Sequence, residues 1–252
     1  MTNNNYNPFS LEGKTILVTG ASSGIGRATA IECAKMGATL IINGRNSSRL
    51  DETFSQLAGA GHHQCAADLN DPVQVEQLLS SLSELTGIVH CAGIGMTLPF
   101  LFINETHLRR IFEVNFDAPA LITQKILKTK KLRKGASIVL ISSVSGMFCA
   151  APGGSLYSAS KGALEGLAKG MALDLAPKNI RVNCVNPGVI ETNIFSEGIV
   201  TAEQLETNRK LYPLKRFGKP EEVAYAVIYL LSDASRWVTG ANIRVDGGFT
   251  LL

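Results

Sequence analysis

Tyr157 and Lys161 stand four apart in the run Tyr-Ser-Ala-Ser-Lys. On a helix that spacing brings both side chains out on one face. A phenol ionises near pH 10, too high for efficient proton exchange around neutrality. An ammonium about 4 Å away contributes roughly 4 kcal/mol at an effective dielectric of 20, close to three pKa units. The pair therefore reads as a proton donor with its electrostatic partner. Taken alone, the same spacing also fits a half-buried tyrosine beside a solvated lysine.

A second feature lies far upstream. Thr19-Gly20-Ala21-Ser22-Ser23-Gly24-Ile25-Gly26 follows a short apolar run and opens a helix. Residues without Cβ let backbone N–H groups approach phosphate oxygens, and the helix N-terminus adds a favourable dipole. Gly20, Ser22, Ser23, Gly24, Ile25 and Gly26 are thus candidate contacts to a dinucleotide. The glycine spacing is G-x-x-x-G-x-G, so the commoner G-x-G-x-x-G pattern is met only loosely. An acid about 20 residues further on would select NAD through the ribose 2′-hydroxyl. Here the second strand ends in Asn43-Gly44-Arg45-Asn46, with no acid. Gly44 leaves room and Arg45 offers a fork suited to a 2′-phosphate, so NADP(H) is favoured over NAD(H). The plainer reading of Arg45 is a solvated loop residue.

The elements that must hold these groups alternate regularly. Strands are predicted at Lys14–Thr19, Thr39–Asn43, Gln64–Ala66, Gly87–Cys91, Ser137–Ser142, Arg181–Val185 and Asn242–Val245. Helices are predicted over Ile25–Met36, Ser48–Leu57, Asp71–Leu82 (Asp71 as N-cap, Pro72 at the first helical position), Glu105–Lys128, Tyr157–Leu175 and from Pro220. Short, continuously apolar strands separated by helices predict a single-domain, Rossmann-like, doubly wound parallel sheet of about seven strands, with helices on both faces. The last helix carries a stripe of Val223, Val227, Leu230 and Leu231, with Glu222, Tyr225 and Tyr229 opposite. Residues 1–10 read as a polar tail ahead of a catalytic domain over 11–252. Asn193–Tyr212 has no firm assignment beyond a loop with one short helix.

Bulk composition narrows the class. Of 252 residues, 45% are hydrophobic and 18% charged, which excludes a disordered chain. The net charge of +3 is a small surplus, not the concentrated basic face of a nucleic-acid binder. The longest apolar run, Val223–Leu231, is half of the roughly 18 residues expected of a membrane span. The polar start shows no secretory leader, and five scattered cysteines with no C-x-x-C suit a reducing compartment, so a cytoplasmic location is expected.

In their joint order, Thr19–Gly26, Asp68-Leu69, Cys91-Ala92-Gly93, Asn115, Ser143, Tyr157/Lys161, Pro187-Gly188 and Val245-Asp246-Gly247-Gly248 resemble the short-chain dehydrogenases/reductases. The likeness runs from about Leu11 to Phe249 and is greatest to the 3-oxoacyl-[acyl-carrier-protein] reductase group. It implies hydride transfer from NADPH to a carbonyl carbon, with Tyr157 protonating the oxygen and Ser143 donating a second hydrogen bond to it. Lys161 would lower the Tyr157 pKa and hold the nicotinamide ribose, and Asn115 would anchor a relay water. Asp68 and Leu69 would meet adenine, and Cys91, Ala92 and Gly93 the ribose side. Pro187, Gly188, Ile190 and Thr192 would meet the carboxamide and pyrophosphate. The resemblance further implies a homotetramer, an acyl carrier protein as a possible partner, and no metal.

The chain departs from the family pattern at His90-Cys91-Ala92-Gly93, where Asn-Asn-Ala-Gly is usual, and His90 and Cys91 are expected to pack at a strand end. Ser143 lies 14 residues before Tyr157, one more than is common, so the Ala150–Ser155 loop is expected to be lengthened, with Ser145 as the alternative to Ser143. Lys125, Lys128, Lys130, Lys131, Arg133 and Lys134 form either a solvated helix end or, with Lys178 and Arg181, a docking patch for an acidic carrier. His62-His63 reads as a polar loop and not a metal site. Two other functions stay open: the same chemistry on a sugar, polyol or steroid alcohol, and a dinucleotide-binding regulator without catalysis.

Overall fold

The computed structural model describes residues 6–192 and 202–252, with side chains from 206 onward in the second stretch. Seven strands form one sheet: β1 (Thr15–Thr19), β2 (Thr39–Gly44), β3 (His63–Ala66), β4 (Leu85–His90), β5 (Leu132–Ile141), β6 (Arg181–Pro187) and β7 (Asn242–Val245). Their order is β3-β2-β1-β4-β5-β6-β7, every neighbouring pair parallel. The chain leaves β1 toward β2 on one side and later returns to β4 on the other. That reversal opens a crevice at the strand carboxyl ends, where ligands bind in such sheets.

Nine α-helices are described: α1 (Gly24–Lys35), α2 (Ser47–Phe54), α3 (Pro72–Ser81), α4 (Glu105–Phe112), α5 (Ala118–Lys128), α6 (Val144–Met147), α7 (Ser155–Leu175), α8 (Ala202–Lys210) and α9 (Pro220–Leu231). Successive strand residues point to opposite faces. Ile16 and Val18 accordingly join α1 and α9 in one apolar layer, while Leu17 joins α3, α5 and α7 in the other. The predicted stripe on α9 is buried as expected, with Ala224 and Ile228 added to it. Tyr225 is exposed, whereas Tyr229 is half-buried against the core and lies 6.3 Å from Phe9, a correction to its expected exposure. The expected polar tail is likewise tied down in part: Leu11 is fully buried, and the Pro8 carbonyl accepts from Ala234 N.

Two elements differ from their prediction for identifiable reasons. The single helix expected over Glu105–Lys128 is two helices joined by a π-helical turn, Glu113–Asp117. Pro119 has no N–H to give the carbonyl four residues back, that of Asn115, so the regular ladder cannot pass through. Strand β5 begins at Leu132, five residues early, and absorbs the excess in a register shift against Leu85/Gly87, with Gly135 at φ +83°. Asp71 caps α3 as predicted, its carboxylate accepting from Val73 N (2.8 Å) and Gln74 N (3.3 Å). Part of the unassigned Asn193–Tyr212 segment is α8; residues 193–201 lie outside the described residues.

Candidate active site

A cleft of about 820 Å³ opens along the carboxyl ends of the strands. Its floor at one end is the glycine turn. Gly20 has φ +68°, and a Cβ there would stand 2.6 Å from Ala92 N, so the turn lies directly against the exit of β4. A Cβ on Gly26 would fall 2.2 Å from the Gly20 carbonyl oxygen, which excludes any side chain. The rest of the turn is braced from β2, with Ala21 N donating to Asn43 O and the Asn43 amide donating to Ala67 O. Gly44 lies against Ser22, and Arg45 is exposed at the rim beside Asn46 and Arg49.

This lining fits a dinucleotide. The hydroxyl oxygen of Thr192 is buried with no hydrogen-bond partner among the described residues, and its methyl stands 3.1 Å from where a Gly24 Cβ would be. A buried, unpaired hydroxyl beside a glycine-lined helix N-terminus is the arrangement a phosphate or carboxamide would complete. Every residue expected to contact the cofactor lines this one cleft: the Gly20–Gly26 set, Arg45, Asp68-Leu69, Cys91-Ala92-Gly93, Tyr157, Lys161, Pro187-Gly188, Ile190 and Thr192.

At the other end stand Ser143, Tyr157 and Lys161. Ser143 follows β5 directly and caps α6, its Oγ accepting from Ser145 N at 3.1 Å. Ser143 and not Ser145 is the side chain that acts on the Tyr157 phenol, opposing the effect of burial on it. Between Ser143 and Tyr157 lie α6 and a turn at Ala151–Gly154. Burial raises the Tyr157 pKa above the usual phenol value, and Ser143 opposes that only in part. The expected lowering by Lys161 is not what the chain's own geometry provides. The Lys161 ammonium is buried, 5.9 Å from the Tyr157 ring centre, and donates to Ile141 O at 2.8 Å. Desolvation brings its pKa down to about 8.

Asn115 does not line the cleft. It is buried in the π-helical turn, its Oδ1 accepting from Ile94 N (2.8 Å) and its Nδ2 donating to Ile94 O and Ser160 Oγ (3.0 Å each). It stands close behind Lys161, since a Cβ on Gly93 would be 3.3 Å from both Asn115 Oδ1 and Lys161 Nζ. The side-chain amide is thus fully committed to holding the loop after β4, and only the backbone carbonyl, denied an N–H by Pro119, is left for a water.

His90 and Cys91 pack at the end of β4 as expected. His90 is buried and its pKa falls to about 3 through desolvation; that of Cys91 rises to about 12. Thr123 Oγ1 donates to Pro119 O, so its oxygen accepts from His90 Nε2–H at 2.8 Å. His62 accepts from Leu40 N of β2 through Nδ1 and meets Ala58 O through Nε2, whereas His63 opens β3, a correction to its expected place in a loop. Of the basic run, Lys125 pairs with Glu76 (2.6 Å), and Lys131 caps α3 through Leu79 O and Leu82 O. Arg181 is pinned to Leu230 O and Ser235 Oγ, so none of the three is available to a carrier.

The sequence reading missed the far wall of the cleft, formed by Met96, Cys149, Pro152, Val189, Tyr212 and Phe249. Tyr212 is buried, stacked on Phe249 at 4.9 Å, and its hydroxyl accepts from Val189 N at 3.0 Å. These residues come from five separated segments with no spacing signal. Only the aromatic at Phe249, just after Gly247-Gly248, hinted that the C-terminus returns to the site.

A family model described as enoyl-(acyl carrier protein) reductase matches residues 20–250. The chain belongs to the short-chain dehydrogenase/reductase family and is an oxidoreductase of it. A 3-oxoacyl-[acyl-carrier-protein] reductase of Thermotoga maritima is 36% identical over 247 residues, covering 96% of this chain and 99% of that protein. An L-xylulose reductase of Mesocricetus auratus is 35% identical over 241 residues, covering 95% and 97%. Among solved structures, an angucycline C-6 ketoreductase with bound NADP superposes with a TM-score of 0.89 at 30% identity, covering 96% of this chain and 98% of that one.

Proposed function

We propose that the protein reduces a 3-oxoacyl thioester to the 3-hydroxyacyl thioester with NADPH. The observation that carries this reading is the placement of Ser143, Tyr157 and Lys161 in the same cleft as the glycine turn, with the Lys161 ammonium 5.9 Å from the Tyr157 ring centre. Bound NADPH supplies the hydride that reaches the carbonyl carbon. Tyr157 O–H gives its proton to the carbonyl oxygen as negative charge develops there. Ser143 Oγ–H points at the same oxygen, so two donors stabilise the developing alkoxide. Lys161, an ammonium below about pH 8, holds the ribose hydroxyls. The Asn115 carbonyl holds the water that returns a proton to Lys161.

Gly44 and the Arg45 guanidinium support NADPH over NADH. The apolar far wall supports an acyl chain over a sugar, because a polyol's hydroxyls would be buried there with few partners. The names of the relatives support both substrate classes, and the apolar wall favours the acyl chain. We include in the proposal a homotetramer acting in the cytoplasm on carrier-linked substrate. The test is kcat/KM for a panel holding a 3-oxoacyl thioester, L-xylulose and a steroid ketone, each with NADPH and NADH. The thioester with NADPH is expected to rank first. A higher value for the sugar or the steroid, or a clear preference for NADH, contradicts the proposal.

A further inference from the structure

One turn beyond Lys161 on α7 lies Glu165, a carboxyl with no solvent exposure at all. Its Oε1 is 2.9 Å from Ser142 Oγ and 2.5 Å from Asn186 Nδ2. Asn186 Nδ2 also donates to Ser143 O at 3.1 Å, and Ser142 Oγ is 3.0 Å from Lys161 O. Gly146 of α6 presses on the same group, since a Cβ there would come within 2.7 Å of Glu165 Oε1. Glu165 is therefore the point where β5, α6, α7 and β6 meet, directly behind Ser143 and Lys161.

The protonation of this carboxyl follows from counting hydrogens. Among the described residues no ion pair includes Glu165, and its neighbours Ser142 and Asn186 are neutral. An unpaired buried carboxylate is among the costliest groups a core can hold. Ser142 has one proton and two neighbouring oxygens. If it donates to Lys161 O, its own oxygen is left to accept from a Glu165 O–H. Among the described residues the second carboxyl oxygen has no hydrogen-bond partner, which a neutral carbonyl tolerates far better than an anion. Burial displaces the Glu165 pKa upward, the same direction. The charged or titratable groups that act on it are Lys169 on its own helix and Cys184 on β6.

We propose that Glu165 is a positioning residue, held as a neutral carboxylic acid, whose bonds to Ser142 and Asn186 fix Ser143 and Lys161 relative to each other. It rests on the reading of that site given above. The first test is independent of turnover: the infrared difference spectrum of wild type minus Glu165→Gln at pH 7. A protonated-carboxyl C=O band is expected; a carboxylate band alone overturns the proposal. The second test is kinetic. Glu165→Gln keeps the shape, and its amide oxygen can accept from both Asn186 and Ser142, so kcat is expected to stay within about threefold of wild type. Glu165→Leu removes them and is expected to lower kcat by about tenfold to a hundredfold, with KM for NADPH little changed. Should Glu165→Leu not fold, Ser142→Ala serves instead, with a smaller fall in kcat expected. Wild-type kcat in the folded leucine or alanine variant overturns the positioning role, as does equal damage from glutamine and leucine. Failure of the site reading itself would show separately, as full turnover in Tyr157→Phe.

Discussion

At the scale of residues, burial sets the chemistry more than charge does. Tyr157 and Lys161 are both desolvated, and their pKa values move apart, the phenol up and the ammonium down to about 8. The spacing in Tyr-Ser-Ala-Ser-Lys made the pair legible, but spacing carries no information about desolvation, so the sign of the Tyr157 shift was not legible. His90 shows the same force with a consequence for stability. Its folded pKa of about 3 lies below the unfolded value, so the unfolded chain binds a proton that the folded one refuses. The neutral-pH stability is intact above about pH 6.5 and is lost as pH falls toward 3. Between pH 7 and pH 4, wild type should lose roughly 3 kcal/mol more than His90→Asn. Denaturant midpoints of both proteins at the two pH values measure this; equal acid losses would contradict it.

Elements follow the sequence closely where local signals agree, and depart where one residue breaks a pattern. Asp71-Pro72 marked the start of α3 correctly because an N-cap carboxylate and a first-turn proline are both local devices. Asp71→Ala should cost about 1 kcal/mol, read from urea unfolding, and should leave kcat unchanged, since the cap is remote from Ser143 and Tyr157. A loss of activity with unchanged stability would contradict that division. The break between α4 and α5 was written in the sequence by Pro119, but hydrophobic periodicity continues across it and hides it. That break matters because it sets Asn115 behind Lys161. The far wall was illegible for another reason: Met96, Cys149, Val189 and Tyr212 meet only through tertiary packing.

For the whole molecule, the parallel sheet dictates which surfaces can serve the site. All strand carboxyl ends point toward the cleft, and the basic run Lys128–Lys134 leads into the first residues of β5 at the opposite end. Strand β5 runs from Leu132 to Ile141, about 30 Å at a rise of about 3.3 Å per residue. A carrier docked on Lys128, Lys130, Arg133 and Lys134 would face away from Ser143. Changing these four to Glu should leave kcat/KM unchanged on both carrier-linked and small thioesters. A loss confined to the carrier-linked substrate would show that the patch docks a carrier after all. The fold class and the cleft lining were readable because family motifs sit at the strand ends, which the alternation of elements already located. The account's central claim is that Tyr157 gives the proton in a hydride-transfer reaction. Its most direct test is NADPH oxidation with a 3-oxoacyl thioester by wild type and Tyr157→Phe. The variant should be slower by about 10²–10⁴-fold with NADPH affinity retained; turnover equal to wild type would contradict the account.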